Sequence, residues 1–228
     1  MKSVFLTGAD RGIGCALCEE FLSGGYRVFA GQFLPNWPQL AALREQYPTQ
    51  LELVPLDVGD TASVQRAAAL VSERTKTVDF LVNVAGIIQG DSKQEMERTF
   101  RVNTFGPLRV TEAFLPLMQN GQKRLCYVSS EAGSISLLHR TEGYAYCASK
   151  AMLNMAVKLT FNGLRTRGYT FRLYHPGWVK TYMSGEKTEI GVYEAEESAR
   201  EAYLQFTGDA VTEDVLVMAD IKGEWWPF

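Results

Sequence analysis

The sequence predicts a single α/β domain in which helices flank both faces of a doubly wound parallel sheet. Its 228 residues suit one domain with a sizeable core. Six short segments are apolar almost throughout, as is typical of strands that are covered on both faces. Segments with helical periodicity separate them, and this repeated strand-then-helix order favours a parallel sheet with right-handed crossovers.

Each element follows from this alternation. The strands are predicted at residues 3–8, 27–31, 51–58, 78–86, 124–130 and 170–177. The helices are predicted at residues 14–25, 39–47, 61–73, 93–118 and 145–168. After Thr181 the chain begins as a polar loop and becomes helical near Glu196. We expect this short loop, near residues 181–198, to be either a lid over a site or a plain solvated connection.

Composition and charge limit the classes of function. Apolar residues make up 46% of the chain and charged residues 21%, which is ordinary for a folded globular protein. A net charge of −3 provides no basic surface for nucleic acid or for an anionic membrane. No run approaches the roughly 18 apolar residues that span a bilayer. We therefore expect a cytoplasmic protein without a nucleic-acid or membrane partner.

The four cysteines, Cys15, Cys18, Cys126 and Cys147, do not suggest a disulfide framework. Cys15 and Cys18 form a C-x-x-C pair, which can be a redox motif. They fall within a predicted helix, where thiols more often fill a core, and we favour that interpretation. No metal site is predicted.

A glycine-rich turn, "TGADRGIG", follows the first predicted strand. Gly8, Gly12 and Gly14 would let the backbone turn sharply and approach a pyrophosphate, and the next helix would offer its free amides to that charge. Taken alone, this pattern fits an ordinary tight turn equally well.

Other strand ends carry residues that suit a nucleotide. Asp57 follows the third strand, where its carboxylate could accept from an adenine amino group or cap a helix. Small Ala85 and Gly86 end the fourth strand and would let a flat ring lie against the backbone, while Ser129 and Ser130 end the fifth. Because the carboxyl ends of parallel strands meet at one edge of a sheet, these residues together predict a ligand site there.

The segment "GYAYCASKAML" contains two tyrosines, and only Tyr146 has a lysine, Lys150, four residues later. Residues four apart share a helix face, whereas Tyr144 has Ala148 at that offset. A neighbouring ammonium favours a phenolate and would draw the tyrosine pKa towards the working pH. Tyr146 is therefore the predicted acid/base group.

The motifs "TGADRGIG", "NVAG", "VSS", "YCASK" and "HPGWVKT", in this order, make the chain resemble the short-chain dehydrogenase/reductase family. The resemblance runs from Val4 to about Thr181, and the long segment between Ser130 and Tyr146 is similar to the carbonyl-reductase-like branch of C-factor and sniffer types. It implies one NAD(P)-binding Rossmann-type domain over residues 1–228. Val84 departs from the usual Asn-Asn-Ala-Gly, and the longer segment argues against analogy with steroid or acyl-carrier substrates.

The resemblance also implies a reaction, the reduction of a carbonyl to an alcohol or the reverse, and assigns its residues. Tyr146 exchanges the proton, Ser130 bonds the same oxygen, and Lys150 lowers the tyrosine pKa and bonds the nicotinamide ribose. Asn103, in a predicted helix interior, would distort the backbone and hold a water beside Lys150. His175 is expected to be structural, because no acidic partner is evident. The implied cofactor-binding residues are Gly8, Asp10, Arg11, Gly12, Ile13, Gly14, Gln32, Asp57, Val58, Asn83, Ala85, Gly86, Tyr146, Lys150, Pro176, Gly177, Val179 and Thr181.

The cofactor is expected to be NADP(H) in preference to NAD(H). NAD-selective enzymes usually end the second strand with an acidic residue that repels a 2′-phosphate. Gln32 stands at that place, and no Asp or Glu occurs between Arg27 and Glu45. Arg11 provides a guanidinium where NADP-preferring members of the family often carry a base, although Phe33 replaces a second one.

Alternatives remain open at this level. The chain could be a nucleotide-binding regulatory protein without turnover, or an epimerase on the same fold. The substrate is expected to be an aldehyde, ketone or quinone with a hydrophobic body, because the candidate pocket residues are mostly apolar: Ile87, Leu137, Tyr144, Trp178, Tyr182 and Met183. Apolar helix faces around Phe105 and Met152 suggest a homodimer or homotetramer.

Overall fold

The computed structural model describes residues 1–183, 185–209 and 213–228. The strands in these residues are β1 (Ser3–Thr7), β2 (Arg27–Gln32), β3 (Leu51–Pro55), β4 (Phe80–Asn83), β5 (Arg124–Val128), β6 (Thr170–His175), β7 (Met218–Asp220) and β8 (Trp225–Trp226). The helices are α1 (Gly12–Ser23), α2 (Pro38–Gln46), α3 (Thr61–Arg74), α4 (Lys93–Asn103), α5 (Phe105–Met118), α6 (Tyr144–Leu164) and α7 (Ala195–Thr207).

The strands form one eight-stranded sheet in the order β3-β2-β1-β4-β5-β6-β7-β8. All neighbours are parallel except β7 and β8, which form an antiparallel edge. The predicted Rossmann-type single domain with a doubly wound sheet is therefore confirmed. The sequence did not indicate β7 and β8, because strands of three and two residues are too short to show a periodicity.

Helices cover both faces of the sheet, which explains the nearly continuous apolar strands. In β1, Phe5 packs on the face of α3, α5 and α6, where it stacks on Phe114 with ring centroids 3.9 Å apart. Val4 and Leu6 point to the opposite face, against α1, α2 and α7. None of the helices in the described residues is long and apolar enough to cross a membrane.

The four cysteines are all free thiols. Burial raises the pKa of Cys15 to about 11 and also raises that of Cys18. Both side chains are therefore thiols and not reactive thiolates at neutral pH. This agrees with their interpretation as packing residues of α1.

The single helix predicted over residues 93–118 is two helices, α4 and α5, which meet at Thr104. The backbone of Thr104 departs from helical geometry, with φ −115° and ψ −60°. Its hydroxyl donates to the carbonyl of Ser149 in α6, 2.8 Å away. The distortion predicted at Asn103 is thus present one residue later, because a buried hydroxyl bonds another helix at this point.

We expect two glycine substitutions to have opposite effects on stability. A Cβ at Gly14 would lie 2.0 Å from the carbonyl oxygen of Gly8, a backbone atom that cannot move aside. Gly14→Ala should lower the free energy of unfolding by about 3 kcal/mol or more. Gly163→Ala, in α6 with open space around it, should raise that energy by about 0.5–1 kcal/mol. Urea unfolding of both variants measures this, and equal stabilities would contradict the packing of the glycine turn.

Candidate functional site

The order of the strands reverses between β1 and β4, which places a crevice at their carboxyl ends. The Thr7 hydroxyl ties the two ends together by accepting from the backbone N–H groups of Val84 and Ala85, each at 3.1 Å. Gly8 follows with φ +68°, and a Cβ there would lie 2.7 Å from Cα of Ala85. Glycine is therefore required at the point where the two turns meet.

A cavity of about 500 Å³ runs along this edge, within the size range of cofactor and ligand sites. Fourteen of the predicted site residues line it, which brings the strand-end residues together as the sequence analysis expected. They are Gly8, Asp10, Arg11, Gly12, Ile13, Gly14, Asp57, Val58, Ala85, Gly86, Tyr146, Lys150, Pro176 and Thr181.

The glycine turn fits a phosphate group. Helix α1 begins at Gly12 in the cavity, and Arg11 before it makes no side-chain cap to the first backbone amides. No acidic residue lies in the first turn of α1. The amides and the positive end of the helix dipole therefore face the cavity, where a pyrophosphate would satisfy them.

The far end of the cavity, where an adenosine would lie, differs in detail from the prediction. Phe33 and Leu34 line it, whereas Gln32 does not. The buried Asp10 carboxylate accepts from the N–H groups of Phe33 at 3.0 Å and Leu34 at 2.8 Å, so it fixes the turn after β2. Asp57 accepts from the N–H of Gly59 at 2.7 Å, also within a turn.

Two further cations line the cavity, Arg98 and Arg101 on α4. The sequence analysis missed them, because their helix reaches this edge only through the packing of α4 on its neighbours. No spacing in the sequence marks them.

Arg11 joins two loops at the cavity mouth. Its guanidinium donates to the carbonyls of Tyr182 at 3.0 Å and Gly185 at 3.3 Å. It also lies 4.7 Å from the ring centroid of Trp37 and 5.4 Å from that of Tyr182. The polar loop after Thr181 is therefore held against the start of α2, and it ends where α7 begins at Ala195.

Tyr146, and not Tyr144, faces the cavity. The first turn of α6 is anchored by Asp91, whose carboxylate accepts from the N–H groups of Tyr144 and Ala145 at 3.2 and 2.7 Å. This leaves the Tyr144 side chain 68% exposed and outside the cavity lining, while Tyr146 is half-buried within it. Lys150 lies on the same helix face, with its Nζ 5.8 Å from the Tyr146 ring centroid.

The pKa values of this pair differ from the expectation. Burial raises the pKa of Tyr146 to about 12, and the neighbouring Ser130 hydroxyl, which can stabilise the phenolate, only partly opposes the shift. Burial also lowers the pKa of Lys150 to about 8. The predicted lowering of the tyrosine pKa by Lys150 is not found, because the lysine is desolvated and its Nζ donates to the Val128 carbonyl at 3.0 Å.

Ser129 and Ser130 point to opposite sides, as expected for neighbours at a strand end. The Ser129 hydroxyl donates to Oδ1 of Asn154 in α6 at 2.6 Å, although the residue lines the cavity. The Ser130 hydroxyl lies beside Tyr146, accepts from the N–H of Ala132 at 3.1 Å and donates to a carboxylate.

Asn103 is fully occupied by protein groups. Its amide accepts from the N–H of Ile87 at 2.8 Å and donates to the Ile87 carbonyl at 2.9 Å and to the Ser149 hydroxyl at 3.1 Å. Both Asn103 Oδ1 and Lys150 Nζ lie within 4 Å of the place where a Cβ on Gly86 would be. Asn103 thus fixes the turn after β4 and does not line the cavity itself.

Several predicted residues support the site from outside the cavity lining. Gly177, with φ +77°, and Val179 shape the loop against Tyr193, since a Cβ on Gly177 would lie 2.8 Å from that ring and Val179 pairs with Tyr193. The Asn83 amide is buried without a hydrogen-bond partner in the described residues.

Among the candidate pocket residues, Ile87, Tyr182 and Met183 line the cavity, whereas Leu137, Tyr144 and Trp178 do not.

A charged network beside Ser130 was also missed. Glu131 accepts from the Ser130 hydroxyl at 2.6 Å and pairs with Arg140. His175 Nδ1 lies 3.8 Å from Oε2 of Glu131, so an acidic side chain does lie beside His175, contrary to the expectation, although Nδ1 accepts its hydrogen bond from the Glu131 backbone N–H. The loop that brings Arg140 to Glu131 has no periodicity from which this contact could be predicted.

In the described chain, no group of three or more His, Cys, Asp or Glu side chains could hold a metal ion.

Comparisons with known proteins agree with this geometry. The model of the short chain dehydrogenase family matches residues 2–190. The chain is 45% identical over 118 residues to C-signal of Myxococcus xanthus, covering 49% of this chain and 71% of that protein. It is 31% identical to mouse estradiol 17-beta-dehydrogenase 2, covering 82% of this chain but only 50% of the mouse protein.

A solved structure extends the likeness to the whole chain. The NADPH-bound carbonyl reductase from chicken fatty liver superimposes with a TM-score of 0.88 at 30% identity, covering 100% of this chain and 94% of that one.

Proposed function

Because the chain belongs to the short-chain dehydrogenase/reductase family of nicotinamide-dependent oxidoreductases, we propose that it uses NADP(H) to reduce the carbonyl of an aldehyde, ketone or quinone to an alcohol, or runs the reverse reaction. The observation that carries the proposal is the position of Tyr146 and Lys150 in the same cavity as the uncapped glycine turn. The likeness to an NADPH-bound carbonyl reductase over the whole chain supports it.

When bound, the nicotinamide cofactor supplies the hydride that the carbonyl carbon receives. Gly8, Gly12 and Gly14 would hold its pyrophosphate, because side chains at these positions are excluded by strain or contact. Ala85 and Gly86 would accommodate the ribose and ring. The remaining proposed contacts come from Asp57, Val58, Lys150, Pro176 and Thr181 along the cavity.

Tyr146 donates the proton that the carbonyl oxygen needs. A pKa of about 12 keeps this hydroxyl protonated at neutral pH, which suits a general acid in the reductive direction. Ser130 bonds the same oxygen, and it turns its hydroxyl away from Glu131 to do so. Lys150, with its pKa lowered to about 8, is still mostly an ammonium at neutral pH and positions the ribose. Thr181, Tyr182, Met183 and Gly185 line the cavity, and the bonds from Arg11 to the carbonyls of Tyr182 and Gly185 favour the lid over a plain connection.

Replacement of the acid tests this role. Tyr146→Phe removes only the transferable proton, so kcat/KM for reduction should fall at least about 100-fold while the Kd for NADPH stays within about twofold. Tyr144→Phe is the matched control on the exposed side of the same helix turn and should be mild. Steady-state kinetics and fluorescence titration of NADPH measure both effects. The opposite order of the two variants would refute the choice of tyrosine.

Two other functions use the same site differently. A regulatory binder would hold the nucleotide without turnover, and an epimerase would oxidise its substrate only transiently. Absorbance at the reduced-nicotinamide band separates them, since a reductase consumes NADPH, an epimerase shows a transient change and a binder shows none. We favour the reductase because Tyr146 and Lys150 line a cofactor-sized cavity and Ser130, which is not part of its lining, lies beside Tyr146.

The proposed preference for NADP(H) depends on Arg11. The guanidinium lies at the cavity mouth, and the end of β2 carries Gln32 in place of an acidic residue. Asp10 adds a carboxylate at this end, but backbone N–H groups of Phe33 and Leu34 occupy its oxygens.

We expect Arg11→Ala to weaken NADPH binding about tenfold or more while changing the Kd for NADH less than about threefold. The reason is that only NADPH carries the 2′-phosphate that the guanidinium would bind. Arg101→Ala is the comparison, because Arg101 is a second cation of the same cavity. Titrations at matched salt decide the point. Tighter NADH binding by the unmutated protein, or a selective loss only in Arg101→Ala, would refute the assignment.

Assembly and location remain predictions. Phe105 on α5 and Met152, Met155 and Leu159 on α6 are all at least 40% exposed, which supports a homodimer or homotetramer through these helices. Sedimentation equilibrium measures the oligomeric state, and a monomer at all concentrations would contradict it. A cytoplasmic location and the absence of nucleic-acid and membrane partners rest on the composition and charge alone.

A further inference from the structure

We propose that Glu131 is a positioning residue that keeps Tyr146 a proton donor: before substrate binds it draws the Ser130 hydroxyl proton away from Tyr146, and its own negative charge disfavours the Tyr146 phenolate. The inference rests on the proposed reduction, in which Tyr146 is the acid. Glu131 lies in the short 3-10 turn Glu131–Gly133, directly after the strand end that carries Ser130.

The hydrogen bonds around Ser130 have only one consistent direction. An ionised carboxylate can only accept, so the Ser130 hydroxyl donates its proton to Oε2 of Glu131 at 2.6 Å. Ser130 Oγ also accepts from the N–H of Ala132. Its single proton is therefore directed at Glu131, and a phenolate at Tyr146, which a hydrogen bond from Ser130 would stabilise, has to compete with the carboxylate for it.

Glu131 is held as a carboxylate by its neighbours. Burial opposes its ionisation, but hydrogen bonds from Ser130 and Arg140 outweigh this and keep the pKa of Glu131 below its ordinary value. Its backbone N–H donates to Nδ1 of His175 at 3.3 Å, and burial lowers the pKa of that histidine. A neutral imidazole that accepts at Nδ1 thus fixes the turn from the other side.

The charge on Glu131 acts on Tyr146 with a defined sign. Burial is the largest cause of the raised pKa of Tyr146. The negative charge of Glu131 raises this pKa further, whereas the positive charge of Arg140 lowers it. The titratable groups around Tyr146 come from the 3-10 turn, the following loop and α6: Glu131, Arg140, Cys147 and Lys150. His175, at the end of β6, lies against Glu131.

During reduction the O–H bond of Tyr146 breaks as the substrate oxygen gains the proton and the carbonyl carbon gains the hydride. The phenolate that remains takes a proton from water before the next turnover. Glu131 disfavours this phenolate, so the enzyme retains its acid form to a higher pH than it would without the carboxylate.

The pH profile tests the role of Glu131. Glu131→Gln keeps an oxygen that can accept from Ser130 but removes the charge, so the alkaline limb of kcat/KM for carbonyl reduction should move to lower pH by about one unit. Glu131→Asp retains the charge and should leave the limb near its native position. Glu142→Gln, an exposed carboxylate of the same loop, is the control for a general charge effect.

A variant of the partner separates charge from loop structure. Arg140→Gln also breaks the ion pair with Glu131 but leaves the carboxylate, so it should not move the limb to lower pH. If Arg140→Gln reproduces the shift of Glu131→Gln, the effect comes from the loop and the proposal is overturned.

A second readout needs no turnover. The absorbance of the Tyr146 phenolate is obtained by subtracting the pH titration of a Tyr146→Phe variant from that of the same protein with Tyr146. This difference is measured twice, once with Glu131 present and once in the Glu131→Gln background. The Tyr146 difference should appear at lower pH when the carboxylate is absent. If the chain shows no reductase activity, the proposed function fails while this titration still tests Glu131. An unmoved titration would overturn the inference even in an active enzyme.

Discussion

The close approach of two turns, after β1 and after β4, is the constraint on which the rest of the site depends. The Thr7 hydroxyl holds the backbone of Val84 and Ala85, and Gly8 touches Ala85 with no room for a side chain. This contact sets the width of the crevice at the point where the strand order reverses. The glycine turn, the helix end at Gly12 and the cavity wall all take their positions from it.

Burial in the opposite wall of the cavity explains both unusual pKa values. Desolvation disfavours whichever form is charged, so it raises the pKa of Tyr146 and lowers that of Lys150. The same physical cause therefore yields a tyrosine that stays protonated and a lysine whose pKa lies much nearer to neutral pH than usual. Charges on the accessible side, Glu131 and Arg140, then adjust the tyrosine in opposite directions.

Local periodicity and chemistry predicted the parts of the molecule that repeat regularly. Six buried strands and the helical offset between Tyr146 and Lys150 follow from spacing alone, and the offset also separated Tyr146 from the exposed Tyr144. Features that arise only when distant segments meet were missed. The break at Thr104 depends on a hydroxyl bonding another helix, and the pairing of Glu131 with Arg140 depends on the path of an irregular loop. The pKa of Tyr146 was expected to fall because the sequence shows neighbours but not burial.

Arg11 shows how one side chain can serve two parts of a site. A guanidinium has five N–H donors, and the bonds to the carbonyls of Tyr182 and Gly185 use one donor on each terminal nitrogen. The donors that remain can bind a phosphate without releasing the loop, while Trp37 and Tyr182 hold the cation in place through their rings. The same cation therefore joins Tyr182 and Gly185 to Trp37 at the start of α2, and under the proposed function cofactor binding and the position of this loop would depend on a shared contact.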